Sequence, residues 1–346
     1  MKILHSADWH LDAPMAAGDD ALRAALLAVP GKLAALCKEE RCDLVLLSGD
    51  IFDGPATAES IHALRTALEE MAVPVFIAPG NHDFVSAAGV WRTEVFPANV
   101  HIFTEPRLTA VEAAGITVWG AGYTSMDCHS LLEGFHGSGI CVLHGDPTVA
   151  TSPNCPVTRL QVENSGLRYL ALGHIHKGGA FTAGSTLCAW PGCPMGHGYD
   201  ETGVKGALIV TVDQTAQAKF VPLDTPRFFD YETEAGSDPA AAIDALLPAL
   251  ARSDDYYRIT LTGASQPLDT EALRRAFDRI GHLILRDRTT APLDIWGSAG
   301  EDSFEGTYFG LLRQALEQAA PEDKDTVLLA ARISRQLISG QEVRLP

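Results

Sequence analysis

Five short polar groups carry the residue types that could do chemistry in this chain. They are Asp8-Trp9-His10, Gly49-Asp50-Ile51-Phe52-Asp53, Gly80-Asn81-His82-Asp83, His144-Gly145-Asp146 and Gly173-His174-Ile175-His176. Carboxylates, imidazoles and one neutral Asn amide suit two adjacent divalent cations, with one carboxylate bridging them. Such a pair activates a shared water and clamps a phosphoryl group for in-line attack, so the chemistry indicated is phosphoester hydrolysis. Cysteine is absent from all five groups, which favours Mn²⁺, although Fe²⁺, Zn²⁺ and Mg²⁺ suit the same donors. Taken singly, Asp8 or Asn81 reads equally well as a turn former or helix cap. The ordered set carries the metal reading.

Each group follows a short apolar run, the place where open α/β sheets put their sites. The predicted strands are 2–5, 44–47, 73–78, 117–119, 140–143 and 169–172, with helices over 20–40 and 56–71 between the first three. From Gly178 the pattern turns β-rich, at 180–183, 186–190, 206–212 and 218–221, so a second sheet or an extension of the first is expected. A composition break near 222–226 separates this part from a β-α-β-α-β succession: strand 227–233, helix 239–251, strand 256–261, helix 270–279 and strand 282–286. Helices near 303–318 and 325–338 close the chain.

The length of 346 residues suits one large domain plus a smaller one. Lys and Arg number 26 against 44 Asp and Glu, a net charge of −18. That excludes holding nucleic acid by charge alone, but not a nucleic-acid enzyme, since carboxylates destined for metals count as negative until the metals arrive. No apolar run approaches the roughly 18 residues that span a bilayer. Asp8 falls where a secretory apolar core would continue, so a cytoplasmic chain with no membrane partner is expected. The seven cysteines include no CxxC and read as reduced structural thiols, with zinc the alternative for the C-x4-C pairs Cys37/Cys42 and Cys188/Cys193.

The ordered set D-x-H, G-D-x-x-D, G-N-H-D, H-G and G-H-x-H resembles the calcineurin-like metallophosphoesterases over roughly the first 225 residues. The resemblance implies an α/β fold, a four-layer α/β/β/α sandwich over 1–225, followed by a small α+β capping domain over 226–346. It implies that Asp8, His10 and His176 hold the first metal, that Asp50 bridges, and that Asn81, His144 and His174 hold the second. His82 would assist the leaving oxygen, with Asp53 as its orienting partner.

Within that family the wording is most similar to bacterial DNA-repair nucleases of the SbcD and YhaO type. The strings carrying this are 4–12, 49–53, and 191–197 followed by 201–206. The implied function is Mn²⁺-dependent cleavage of DNA phosphodiesters, as a 3′-to-5′ exonuclease, an endonuclease or both, beside an SbcC-like coiled-coil ATPase. The chain is shorter than this resemblance leads one to expect, so a reduced partner-docking element is expected. Archaeal and eukaryotic relatives often carry His in place of Asp53, so the resemblance to them does not extend to leaving-group handling. Two alternatives stay open: an esterase for a small nucleotide or phosphomonoester, and a non-catalytic repair scaffold.

Outside the motifs, His197 lies in the Gly-rich stretch that resembles a loop near the metals and is a candidate substrate contact. Arg274 and Arg275, with Arg279, Arg286 and Arg288 nearby, could touch a DNA backbone or form a solvated helix face. Asp12 and Asp146 read as ligand-orienting groups or as caps, and Trp9 and Phe52 as packing. In the last helix, Leu329, Ile333 and Leu337 form an apolar stripe, widened by Val327, Ala331 and Ile338, that packs on its own domain or docks an ATPase or a second copy.

Overall fold

The computed structural model describes residues 1–16, 18–248, 251–340 and 343. It divides into two compact units: Met1–Asp230 with Asp254–Tyr256, and Tyr231–Ser253 with Tyr257–Pro346.

The first unit contains two six-stranded sheets. In one, the strands Lys2–Ser6, Leu44–Leu47, Val75–Ile77 and Val100–Ile102 run parallel, and Gly206–Val212 and Ala216–Pro222 extend the edge beside Lys2–Ser6 antiparallel. In the other, Ile116–Gly120, Ile140–His144, Tyr169–Gly173 and Thr186–Gly192 run parallel. Antiparallel Thr109–Ala113 and Lys177–Ala183 flank them. Leu44–Leu47 and Tyr169–Gly173 are buried at every position, as strands covered on both faces must be.

Three apolar clusters define the layers. Ile3, Leu46, Phe76, Val118, Val142 and Ala171 meet between the sheets. Helices carrying Leu33, Leu64 and Leu68 pack on the outer face of the first sheet, against Val45, Leu47 and Ile77. Val162 and Leu132 cover the second sheet, against Leu143, Leu170 and Leu172. At about 1.5–3 kcal/mol per fully buried aliphatic side chain, these clusters hold a four-layer α/β/β/α sandwich together. The strand ends carrying the motifs are fixed by that packing.

The helix expected over 20–40 is two helices, Asp20–Leu27 and Val29–Glu40. Pro30 lacks the N–H that a continuous helix would use, and its ring would crowd the preceding turn, so it sits in the first turn of a new helix. Two further strands, Val100–Ile102 and Thr109–Ala113, join the sheets.

The second unit carries a three-stranded sheet in the order Phe228–Glu234, Tyr256–Thr262, His282–Asp287. Its helices include Pro239–Leu246, Thr270–Ala276, Phe304–Gln318 and Lys324–Ile338. The first was expected over 239–251, of which positions 249 and 250 lie outside the described residues. In the last helix the buried positions are Ala331 and Arg335, whereas Leu337 is 63 % exposed. Of the expected apolar face, Ala331 is buried and Val327, Leu329 and Ile333 are half-buried, while Leu337 and Ile338 at its end are exposed. The Arg335 guanidinium lies 3.8 Å from the centre of the Phe309 ring and donates to Ile295 O and Glu305, and its partners turn that side of the helix inward.

Candidate metal centre

The loops after the first two parallel strands are bound to each other by backbone hydrogen bonds. Asp8 N donates to Gly49 O (3.0 Å), His10 N to Asp50 O (3.0 Å) and Asp53 N to Leu11 O (2.8 Å). Asp8, His10, Asp50 and His174 all adopt positive φ, at 55°, 47°, 51° and 86°. Non-glycine residues in that region cost free energy and persist where the surrounding structure dictates them, commonly at functional sites. Of these four, Asp8, His10 and Asp50 take part in close donor groups, and His174 in none among the described residues.

Asp50 lies at the centre. Its Oδ2 is 3.2 Å from His144 Nε2 and 3.7 Å from His10 Nε2, and its Oδ1 accepts from His82 N at 2.9 Å. Burial works against its charge, but His144 and His10 outweigh that and hold it below the usual carboxylate range. On one side His10 Nε2 faces His176 Nε2 across 3.1 Å, and Asp8, His10 and His176 form one close donor group. On the other, Asp8, Asp50 and His144 form a second.

A cation fits both sides. Asp8 accepts from His174 N through Oδ1 at 2.9 Å, while its Oδ2 is buried with no hydrogen-bond partner among the described residues. His144 donates from Nδ1 to Ser48 O at 2.9 Å, which aims the Nε2 lone pair at Asp50 Oδ2 and at Asn81 Oδ1, 3.0 Å away. Three electron-rich atoms converge there, an arrangement that calls for a proton or a metal between them. Although burial lowers its affinity for a proton, the Asp50 and Asp8 carboxylates raise the His144 pKa to about 9.

His82 is 43 % exposed and lies at the mouth of the site. Its Nδ1 is 2.7 Å from Asp53 Oδ1, and its ring centre is 4.8 Å from that of His10. His174 stands further back, its ring centre 5.2 Å from that of His144 and its Nε2 3.4 Å from Asn154 Nδ2. His197 lies behind His10 and His176 and is 9 % exposed. Its Nδ1 is 2.8 Å from Glu201 Oε2 and its Nε2 3.1 Å from Trp9 O. Both ring nitrogens thus meet protein acceptors, which makes His197 a wall of the site. Arg274 and Arg275 are exposed on the second unit, on the helix Thr270–Ala276, with Arg274 Nε 4.0 Å from Glu271.

Two carboxylates important to the geometry had no role in the sequence reading. Glu201 accepts from His176 Nδ1, from His197 Nδ1 and, at 2.8 Å, from His197 N, and it lies 3.4 Å from Cys193 Sγ. Burial opposes its charge, but the two imidazoles hold it well below the ordinary range. Asp83 accepts from Gly80 N and Ile51 N, each at 2.8 Å, and so ties the loop of Asn81 to that of Asp50. The signals were present, in the 201–206 string and in the final position of G-N-H-D, but spacing alone does not name their partners. Asp12 and Asp146 act locally: Asp12 accepts from Thr57 N and Oγ1 at the start of a helix, and Asp146 from Thr148 and Val149 in a turn. Trp9 and Phe52 are fully buried packing residues.

Residues 1–178 match the family model described as calcineurin-like phosphoesterase. The chain is 28 % identical over 252 residues to the uncharacterized metallophosphoesterase YhaO of Bacillus subtilis (strain 168), a match covering 61 % of this chain and 57 % of that protein. It is 24 % identical over 258 residues to the SbcD subunit of the nuclease SbcCD from the same organism, covering 61 % and 66 %. The chain thus spans less than two thirds of either relative. Among solved structures, TT1561 of Thermus thermophilus matches at 13 % identity, covering 63 % of this chain and 98 % of that one, with a TM-score of 0.41. No described helix is long and apolar enough to cross a membrane.

Proposed function

Because this chain belongs to the calcineurin-like phosphoesterases, we propose that it is a two-metal phosphodiesterase acting on DNA. The observation that carries the hydrolytic reading is the position of Asp50, whose one carboxylate lies between the His10/His176 side and the His144/Asn81 side of the centre. The DNA assignment draws on the likeness to a relative named as part of a nuclease.

In this proposal Asp8, His10, His176 and Asp50 would hold one divalent ion, and Asp50, Asn81, His144 and His174 the other. Two bound ions supply Lewis acidity, neutralising phosphoryl charge and making water nucleophilic at neutral pH. Mn²⁺ suits the oxygen and imidazole donors. The chain's own residues do the rest. Asp53 accepts a hydrogen bond from His82 Nδ1 and orients the ring, so that its other nitrogen presents a proton to the departing oxygen. The hydrogen bond from His144 Nδ1 to Ser48 O keeps the opposite nitrogen directed at the cage. Arg274 and Arg275 supply contacts to the DNA backbone, and an SbcC-like ATPase or a second copy of the chain is the proposed partner.

The test is hydrolysis of an aryl phosphodiester with and without Mn²⁺, run beside end-labelled duplex DNA, single-stranded DNA, a cyclic nucleotide and a phosphomonoester. Asp50→Ala should abolish metal-dependent turnover, and full activity in that variant contradicts the centre. Robust turnover of the small substrates with indifference to DNA would replace the DNA assignment by a nucleotide esterase.

A further inference from the structure

Two clefts adjoin the centre, and their charges differ. Beside His82 lies one of about 470 Å³ whose lining includes Asp83 and Glu94 and contains no Lys or Arg. Beside His176 lies one of about 530 Å³ lined by Lys177 and Lys205, with no Asp or Glu in its wall. Among the described residues neither ammonium takes part in an ion pair. In a chain of net charge −18, two unpaired cations in one cleft are a local reversal of sign. The cleft also presents an aromatic surface: Phe220, 44 % exposed, lines it beside Leu208 and Ala218.

We propose that the cleft beside His176 is a binding subsite for a single DNA strand, holding the nucleotides next to the scissile phosphate. Lys177 and Lys205 contact backbone phosphates and Phe220 stacks on a base. The proposal rests on the DNA reading above and deepens it. Lys177 directly follows His176 in the chain, and both line this cleft. A polyanion is drawn toward the basic cleft, so the retained strand lies on the His176 side and the departing group on the His82 side. The combination of lysines and an exposed ring is the one that binds single strands with little regard to sequence. The volume lies within the range of ordinary ligand pockets.

The experiment measures binding of a fluorescein-labelled phosphorothioate oligo(dT), which resists hydrolysis, to the full chain by anisotropy over a series of KCl concentrations. Each phosphate contact contributes a slope of about −0.7 in log K against log salt for single strands. Lys177→Ala with Lys205→Ala should make that slope shallower by about 1.4, and the paired Arg substitutions should restore it, which separates loss of charge from loss of fold. Phe220→Ala should weaken binding about tenfold at every salt concentration without changing the slope. An unchanged slope in the alanine variant, with the wild type binding and cleaving DNA, overturns the subsite and leaves the DNA reading standing. Absence of salt-dependent binding by the wild type overturns the subsite, and overturns the DNA reading as well if duplex DNA is neither bound nor cleaved, while hydrolysis of the aryl diester would still report an intact centre.

Discussion

Glu201 accepts the Nδ1 hydrogen of His176, and the opposite nitrogen of that ring faces His10 across 3.1 Å. A carboxylate can only accept, so it selects the tautomer whose Nε2 lone pair points into the centre. Glu201→Gln places an amide N–H against one of the two rings that Glu201 now serves. Metal affinity should fall about 10- to 100-fold at one of two sites, with the other nearly unchanged. Calorimetric titration with Mn²⁺ reads both sites, and wild-type affinity at both would remove Glu201 from this role.

His82 acts on the leaving oxygen in the proposed reaction, so its loss should matter most where the leaving group is poor. His82→Gln should slow DNA hydrolysis about 10²- to 10⁴-fold and cost much less with a nitrophenyl ester, whose leaving group departs without a proton. Asp53→Asn should follow the same pattern more weakly, through the 2.7 Å contact to His82. Equal losses on both substrates would place His82 outside leaving-group chemistry.

Chelation should lower the thermal midpoint. A metal that binds only the folded chain, supplied at about 100 times its dissociation constant, adds about 2.7 kcal/mol. The buried Asp8 Oδ2, which has no partner among the described residues, is one atom through which that stabilisation acts. Addition of Mn²⁺ after EDTA should raise the midpoint by several degrees in the wild type and by less in Asp8→Asn. Midpoints that ignore Mn²⁺ would contradict the metal assignment.

His5 sets part of the acid stability. It is buried, with Nδ1 2.6 Å from Tyr169 OH and Nε2 2.8 Å from Ser48 Oγ, and burial pushes its pKa down to about 3. An unfolded imidazole takes its proton near pH 6.5. Between pH 6.5 and about 3 the unfolded chain therefore binds one proton more than the folded chain. Stability falls there by about 1.4 kcal/mol per pH unit on this account, with no contribution above that window. His5→Gln should show a shallower loss than wild type in urea unfolding at pH 7, 6 and 5. Parallel curves would mean that His5 takes no part in the acid response.

Much of the fold is legible in the sequence. Leu44–Leu47 and Gly206–Val212 have the bounds that their apolar runs predict, because a buried strand must be apolar along its length and a polar loop ends it. The positions of the five motifs after strands follow from the same local rule. The misses have local causes too: Val100–Ile102 is three half-buried residues, too short for periodicity to register, and one long amphipathic pattern hid the break before Pro30.

By itself the sequence determined which side chains are available, that they follow strands, and the family to which their order points. Only the tertiary structure decided which of them meet. His197 is an example: its place in a Gly-rich stretch suggested a substrate contact, yet Trp9 O and Glu201 occupy its two nitrogens, and Trp9 lies 188 positions away. The same holds for Lys177 and Lys205, which lie at strands of different sheets and line one cleft. Local composition sets the backbone state of each segment, whereas contacts between distant segments depend on how two sheets pack, and no short window of sequence contains that information.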